Sequence, residues 1–341
     1  MRRTILIGCV LLAFADVAAQ QRVLHFTRTT GFDHNTRELS FAMFQSIAAE
    51  LGVVVVHDAD ASTFSDPSAL ALFDVIVFAN TSGNAILDAT QRANFEGFIA
   101  NGGRVLGIHA ATDTYRHSAA NGNNTGTWDF YPELIGASVQ ESPNHVSGTP
   151  LYAMEHISVH ASTANLPDPW EKNEEYYYWL NGYYGPNNIE VLRVEETIGP
   201  NGLVNDYDAA RPMSWHRDLP EGGRVFYTAL GHAQENYTGD ALFRTHLRDA
   251  LDWLLEGTSS VASQERSPVN LFPNPSASSI TMTGLSQQIG VRLLIRDAVG
   301  RTVLGGQVLG DPMNLDLSAL AQGTYVVEIA DGTRTPLVIV R

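Results

Sequence analysis

Eleven histidines are the side chains of this sequence best suited to acid–base or metal chemistry, and all of them lie before residue 247. One stands out by its setting. In Gly102-Gly103-Arg104-Val105-Leu106-Gly107-Ile108-His109-Ala110-Ala111-Thr112-Asp113 a short apolar run stops abruptly at His109, followed by small residues. His34 follows the first such run and His232 the last, while the intervening loops add His145, His160 and Glu175. Imidazole and carboxylate ligands suit a divalent ion such as zinc or manganese, with an open position able to polarise a hydroxyl or carbonyl. The same side chains serve equally as metal-free general acids and bases. No His-x-x-x-His or comparable local spacing decides between the two. The candidates for catalysis are His109, His232, Glu175 and Asp113, and those for metal ligation are His109, His145, His160 and His232. For Asp113, capping of the following segment is an equal alternative. His25 and His57 fall within or beside apolar runs and read as structural.

The elements that must position these groups are legible as alternating strands and helices. Strands are predicted at Val23–Phe26, Val53–Val56, Asp74–Phe78, Arg104–Ile108, Ile189–Val194 and Arg224–Leu230. Between them Leu39, Met43, Ile47 and Leu51 recur at helical spacing up to Gly52; residues 88–99 and 241–255 read as further helices. Strands alternating with helices of this length imply βαβ units and a parallel sheet, and unbroken Val/Ile runs imply strands covered on both faces. In such a sheet ligands gather beyond the carboxyl ends of the strands, where strand order reverses. Predicted strands end there at His109 and close to His34 and His232.

The net charge of −16 excludes a nucleic-acid groove or an anionic membrane surface, which need clustered Lys and Arg. Arg2-Arg3, the apolar run Ile5–Phe14 and Val17-Ala18-Ala19 form a secretory signal over residues 1–19, too short to span a membrane. The only cysteine, Cys9, leaves with it, so the mature chain has no disulfide and no thiol nucleophile. No Gly-x-Ser-x-Gly elbow and no Gly-x-Gly-x-x-Gly loop is present. Residues 20–257 form the first domain, 258–268 a Ser-rich linker, and 269–341 a small all-β sandwich of short strands separated by turns such as Asp331-Gly332.

Two resemblances emerge from the motifs. Leu271-Phe272-Pro273-Asn274-Pro275 and Gly323-Thr324-Tyr325, with a basic finish at Arg341, resemble a type IX secretion (Por) C-terminal sorting domain. That implies handling by the type IX secretion machinery and a secreted or cell-surface location. The first domain resembles the trehalose-utilisation (ThuA-like) family through Gly31-Phe32-Asp33-His34, Asn80-Thr81-Ser82-Gly83, Gly107-Ile108-His109-Ala110-Ala111, Glu174-Glu175-Tyr176-Tyr177, Pro212-Met213-Ser214-Trp215 and Gly231-His232. The resemblance implies a flavodoxin-like, class I glutamine amidotransferase-like doubly wound parallel α/β sheet. His109 then stands where amidotransferases place their cysteine, which excludes thiol-dependent amide transfer. It also implies a small-molecule carbohydrate as ligand and a sugar-modifying activity, with a carbohydrate-binding or structural surface protein as the alternatives. Arg28, His34, Tyr177 and Trp215 are the expected substrate contacts, Arg28 pairing either with ligand or with Asp33. Trp128, Tyr131 and Tyr176–Trp179 are either further stacking platforms or core.

Overall fold

The computed structural model describes residues 20–120, 127–256, 269–285, 289–297, 301–329 and 334–341. The signal segment, Cys9, the linker and the Asp331-Gly332 turn lie outside the described residues. The chain divides into two compact units, Met1–Ser259 and Ser260–Arg341.

In the first unit the strands are β1 (Arg22–Phe26), β2 (Val54–Asp58), β3 (Val75–Ala79), β4 (Arg104–Ile108), β5 (Ala137–Ser138) and β6 (Leu151–His156). They continue with β7 (Trp170–Asn173), β8 (Tyr183–Tyr184), β9 (Ile189–Val194), β10 (Arg211–Asp218) and β11 (Arg224–Thr228). The helices are α1 (Arg37–Leu51), α2 (Pro67–Leu70), α3 (Ala89–Ala100), α4 (Phe130–Ile135), α5 (Glu235–Thr238) and α6 (Ala241–Leu255).

Five strands pair in parallel in the order β2-β1-β3-β4-β11. Every residue of β3 and β4 is buried, which is why they read as unbroken apolar runs: both faces are covered. α6 packs against α1 and over β4 and β11, and α3 packs against α2. Asp88 and Gln91 close a reciprocal capping box at the start of α3, and Asp240 accepts from the Phe243 N–H to start α6. Phe243, Leu247, Leu251 and Leu254 turn the apolar stripe of α6 inward. β1 lies between β2 and β3, so the chain leaves it on one side and returns on the other, opening a crevice at their carboxyl ends.

The other half of the sheet, built from the less regular middle of the chain, is antiparallel. β10, β9, β6 and β7 add antiparallel strands beyond β11, giving nine in all with β2 and β7 at the edges. The turn at Leu219–Gly223 is too short for a crossover, so β10 and β11 can only pair antiparallel.

The second unit holds β12 (Asn270–Phe272), β13 (Ser279–Thr283), β14 (Arg292–Asp297), β15 (Thr302–Gln307), β16 (Met313–Asp316), β17 (Gly323–Ile329) and β18 (Arg334–Ile339). They form two antiparallel sheets, β12-β13-β16 and β15-β14-β17-β18, around one core that includes Ile280, Leu293, Val327 and Leu337. Among the described residues no helix is long and apolar enough to cross a membrane.

Candidate metal centre

Four side chains from four separate connections meet over the carboxyl ends of the parallel strands. His34 comes from the loop after β1, His109 directly follows β4, Glu175 lies just beyond β7, and His232 stands past the end of β11. Each offers one ligand atom, and these atoms all lie within 4.8 Å of one another. His109 Nε2 is 3.3 Å from Glu175 Oε2 and 3.3 Å from His232 Nδ1, and His232 Nδ1 is 3.2 Å from the same carboxylate oxygen. His34 stands edge-on to both His109 and His232, with ring centroids 4.7 and 5.0 Å away.

The backbone of His109 adopts φ +47°, a left-handed conformation that a side chain other than glycine's holds at a cost of about 1–3 kcal/mol. Its surroundings hold it there. Nδ1 donates to the Ala229 carbonyl at 2.7 Å, and the Tyr227 hydroxyl donates to the His109 carbonyl at 2.7 Å. With Nδ1 protonated, Nε2 carries the lone pair, and the Tyr177 hydroxyl donates toward it at 3.0 Å while its ring stacks on the imidazole. That lone pair also faces the Glu175 carboxylate, an arrangement that is repulsive until a cation, either a proton or a metal ion, enters between them.

Glu174, the neighbour of the candidate ligand, acts on the backbone instead. Its carboxylate accepts from the N–H groups of Gly231 (2.8 Å), His232 (3.1 Å) and Glu175 (3.0 Å), and from the Asn236 amide (3.1 Å). Lys172 reaches Asn236 and Asp240 at 2.7 and 2.6 Å and stands 3.8 Å from Glu174. Buried charge is thus paired and hydrogen-bonded, as burial demands, and Glu175 and His232 are fixed by one carboxylate. Gly231 enters this turn at φ +117°, where a Cβ would stand 2.7 Å from the Tyr237 hydroxyl. The Asn80 amide donates to Thr36, the Gly231 carbonyl and Tyr237, joining the β3 loop to the entry of α1 and the β11 loop. The sequence places Glu174 in a motif without revealing this work; a buried lysine on β7 was the missing signal.

The charges suit ligation. Burial, reinforced by His109 and His232, lowers the His34 pKa to about 3, so its imidazole is neutral at physiological pH, and its buried Nδ1 finds no hydrogen-bond partner among the described residues. Burial works against ionisation of Glu175, but the imidazoles of His109 and His232 at its oxygens outweigh it once they carry the bridging proton, and hold the carboxyl well below the usual range. The hydrogen bond that His232 donates to Glu175 raises the His232 pKa.

Other expected residues lie elsewhere. His145 Nε2 touches the outer oxygen of Glu175 at 3.2 Å and stands beside the four without joining them. Asp113 accepts from Ser82 at 2.5 Å and from Arg116 at 2.7 Å, so it braces loops. Arg28 donates to the Asp60 carbonyl at 3.1 Å, and Asp33 pairs with Arg37 rather than with Arg28. His160 is not a ligand of this centre: it caps the turn at Ala161–Thr163 and stacks on His216 and Phe226 near Trp253. Trp215 is not a platform either. It is 0% exposed, donates to the Ile135 carbonyl at 2.9 Å and packs between Trp179 and Tyr227. Trp128, Tyr131, Tyr176, Tyr178 and Trp179 are likewise buried. Tyr177 is buried too, its ring stacked on His109 and its hydroxyl directed at the centre.

A family model described as trehalose utilisation (ThuA) matches residues 22–254, well over half of the chain. The chain belongs to the ThuA family. Residues 270–340 match a secretion system C-terminal sorting domain, so this ThuA-like protein is marked for export by type IX secretion to the cell surface or beyond. Among solved structures it is similar to a putative ThuA-like protein from Bacteroides uniformis ATCC 8492, at 22% identity and TM-score 0.56, covering 72% of this chain and 96% of that one. It is also similar to a putative ThuA-like protein from Parabacteroides merdae ATCC 43184, at 16% identity and TM-score 0.50, covering 70% and 91%. These likenesses concern the fold. No curated protein matches the sequence.

Proposed function

We propose that this exported ThuA-like protein is a metal-dependent enzyme acting on a sugar or an oxidised glycoside. The convergence of His34, His109, Glu175 and His232 within 4.8 Å carries the reading. Three imidazoles and one carboxylate suit a zinc or manganese ion at ligand distances of about 2.0–2.2 Å, and their single negative charge leaves the ion a net positive charge. When bound, such an ion acts as a Lewis acid on a hydroxyl or carbonyl oxygen. The orphaned Nδ1 of His34 and the lone pair of His109 directed at a carboxylate favour a cation here over a purely hydrogen-bonded cluster. Tyr177, kept protonated because burial raises its pKa, directs a phenolic hydroxyl at the centre and donates a hydrogen bond to a developing oxyanion. His145 stands half-buried on the outer side of Glu175, between that carboxylate and solvent. The family description, trehalose utilisation, supports a disaccharide or its derivative as the substrate class.

Elemental analysis of the gently purified protein tests the centre. One equivalent of zinc or manganese, lost in His109→Ala, is expected. A chain with no bound ion and no uptake on dialysis against either metal overturns the metal reading. Tyr177→Phe then separates roles: it is expected to keep the ion and to lose turnover by roughly 100-fold.

A further inference from the structure

The sugar reading needs an apolar surface for a pyranose ring, and the buried tryptophans and tyrosines do not provide one. Among the described residues of the first unit, Phe32 is the single aromatic side chain that is mostly exposed, at 66%. Isolated exposed apolar residues are ordinary on protein surfaces and carry no meaning by themselves. Phe32 differs in where it stands and in how firmly it is held.

Its ring meets His34 edge-on, with centroids 4.8 Å apart, so it flanks the centre at the width of one imidazole. Its backbone is not a free loop tip. The Phe32 N–H donates to Ser82 Oγ at 3.1 Å, and the Thr30 and Gly31 N–H groups donate to the Ser82 carbonyl at 2.9 and 3.0 Å. The two loops touch backbone to backbone: a Cβ on Gly31 would stand 2.3 Å from Ser82 Oγ, and one on Gly83, at φ +92°, 2.5 Å from the Gly31 nitrogen. Ser82 in turn donates to Asp113, which Arg116 neutralises. A large apolar ring left in water on a backbone braced this heavily has little backbone entropy left to lose on binding.

We propose that Phe32 is the stacking platform for a sugar ring adjacent to the ion-bound unit, and that Asp113, through Ser82, is the positioning residue that sets the platform. The inference rests on the carbohydrate reading above. A pyranose presents axial C–H groups on one face, a surface that an aromatic ring desolvates, while the hydroxyls at its rim keep their contact with water. The platform thus selects a glycosyl unit over an open-chain polyol of similar polarity, which lacks a flat apolar face.

The test is titration of the metal-loaded protein with trehalose, maltose, cellobiose and, as open-chain control, sorbitol, read by calorimetry and by saturation-transfer NMR. Wild type is expected to bind at least one disaccharide with saturation concentrated on one face of a ring. Phe32→Ala is expected to weaken that binding about five- to tenfold with metal content unchanged, and Phe32→Trp to restore it. Asp113→Asn should weaken it by a smaller factor, again with the ion retained. Equal disaccharide affinity in wild type and Phe32→Ala overturns the platform while leaving the carbohydrate reading intact. A wild type that binds no disaccharide, or binds sorbitol as tightly, overturns the carbohydrate reading and the platform with it; the ion content, measured on the same samples, reports separately on the metal centre.

Discussion

His109 Nδ1 donates to the carbonyl of Ala229 at 2.7 Å, so the side chain ending β4 is anchored to the end of β11. That one bond fixes the tautomer, turns Nε2 toward Glu175 and makes His109 a bridge between two strands as well as a candidate ligand. Removing it should therefore act on metal and on fold by different amounts. His109→Ala is expected to reduce ion affinity by more than about 100-fold, and only His109→Gly also relieves the strain at φ +47°. Competitive titration with a chromophoric chelator, alongside thermal melts of the metal-free forms, checks both; unchanged affinity would sink the centre.

Glu174 should behave unlike its neighbour. In Glu174→Gln an amide must face the donors of Gly231, His232 and Asn236, leaving buried groups unsatisfied beside Lys172. A loss of about 2–4 kcal/mol in stability is expected, with a roughly 10- to 100-fold fall in ion affinity from the misplaced His232 and Glu175. Glu175→Gln should abolish ion binding at a smaller stability cost. Denaturant melts of both metal-free variants discriminate the two roles.

Three fully or nearly buried histidines outside the centre set the acid limit. Burial, helped by His57, lowers His25 to about 3; burial and His216 lower His160 to about 3; burial alone dominates in lowering His246 to about 4. The unfolded chain takes up these protons near pH 6.5 and the folded chain does not, so their contribution is present above pH 6.5 and lost as pH falls toward 3–4. Each costs about 1.4 kcal/mol per pH unit well inside that window. Denaturant unfolding from pH 7 to 4.5 should show stability falling as pH falls, with a slope smaller by about one proton in His246→Gln.

Trp215→Ala should unfold rather than unbind. A fully buried indole with a satisfied N–H leaves a cavity costing about 3–5 kcal/mol. Calorimetric melts should reveal that loss, and any protein that remains folded should take up the ion as wild type does.

What could be read in the sequence follows from which physical signals are local. α6 and β9 stand where the apolar spacing places them, because a stripe of Leu residues or a Val/Ile run records its own burial. The strand ends bearing His34, His109 and His232 were visible for the same reason. β6 and β7 were not. In β6 only Met154 is buried, and in β7 the inward residues are Trp170 and a lysine whose partners lie in α5 and before α6. A lysine that finds Asn236 and Asp240 inside the fold looks in sequence like any surface lysine. Aromatic content misled in the opposite direction: Trp215 could stack on a ligand or on Tyr227, and only the packing shows that Tyr227 occupies its face.

The four candidate ligands are drawn from connections scattered across the first unit, and no two come from the same loop. No fragment of the chain can assemble the centre in advance; β1, β4, β7 and β11 must all be in register first. An ion taken up there is consequently selected by the medium in which folding finishes, so for an exported chain the cargo reflects the ionic supply at journey's end of folding rather than that at the ribosome.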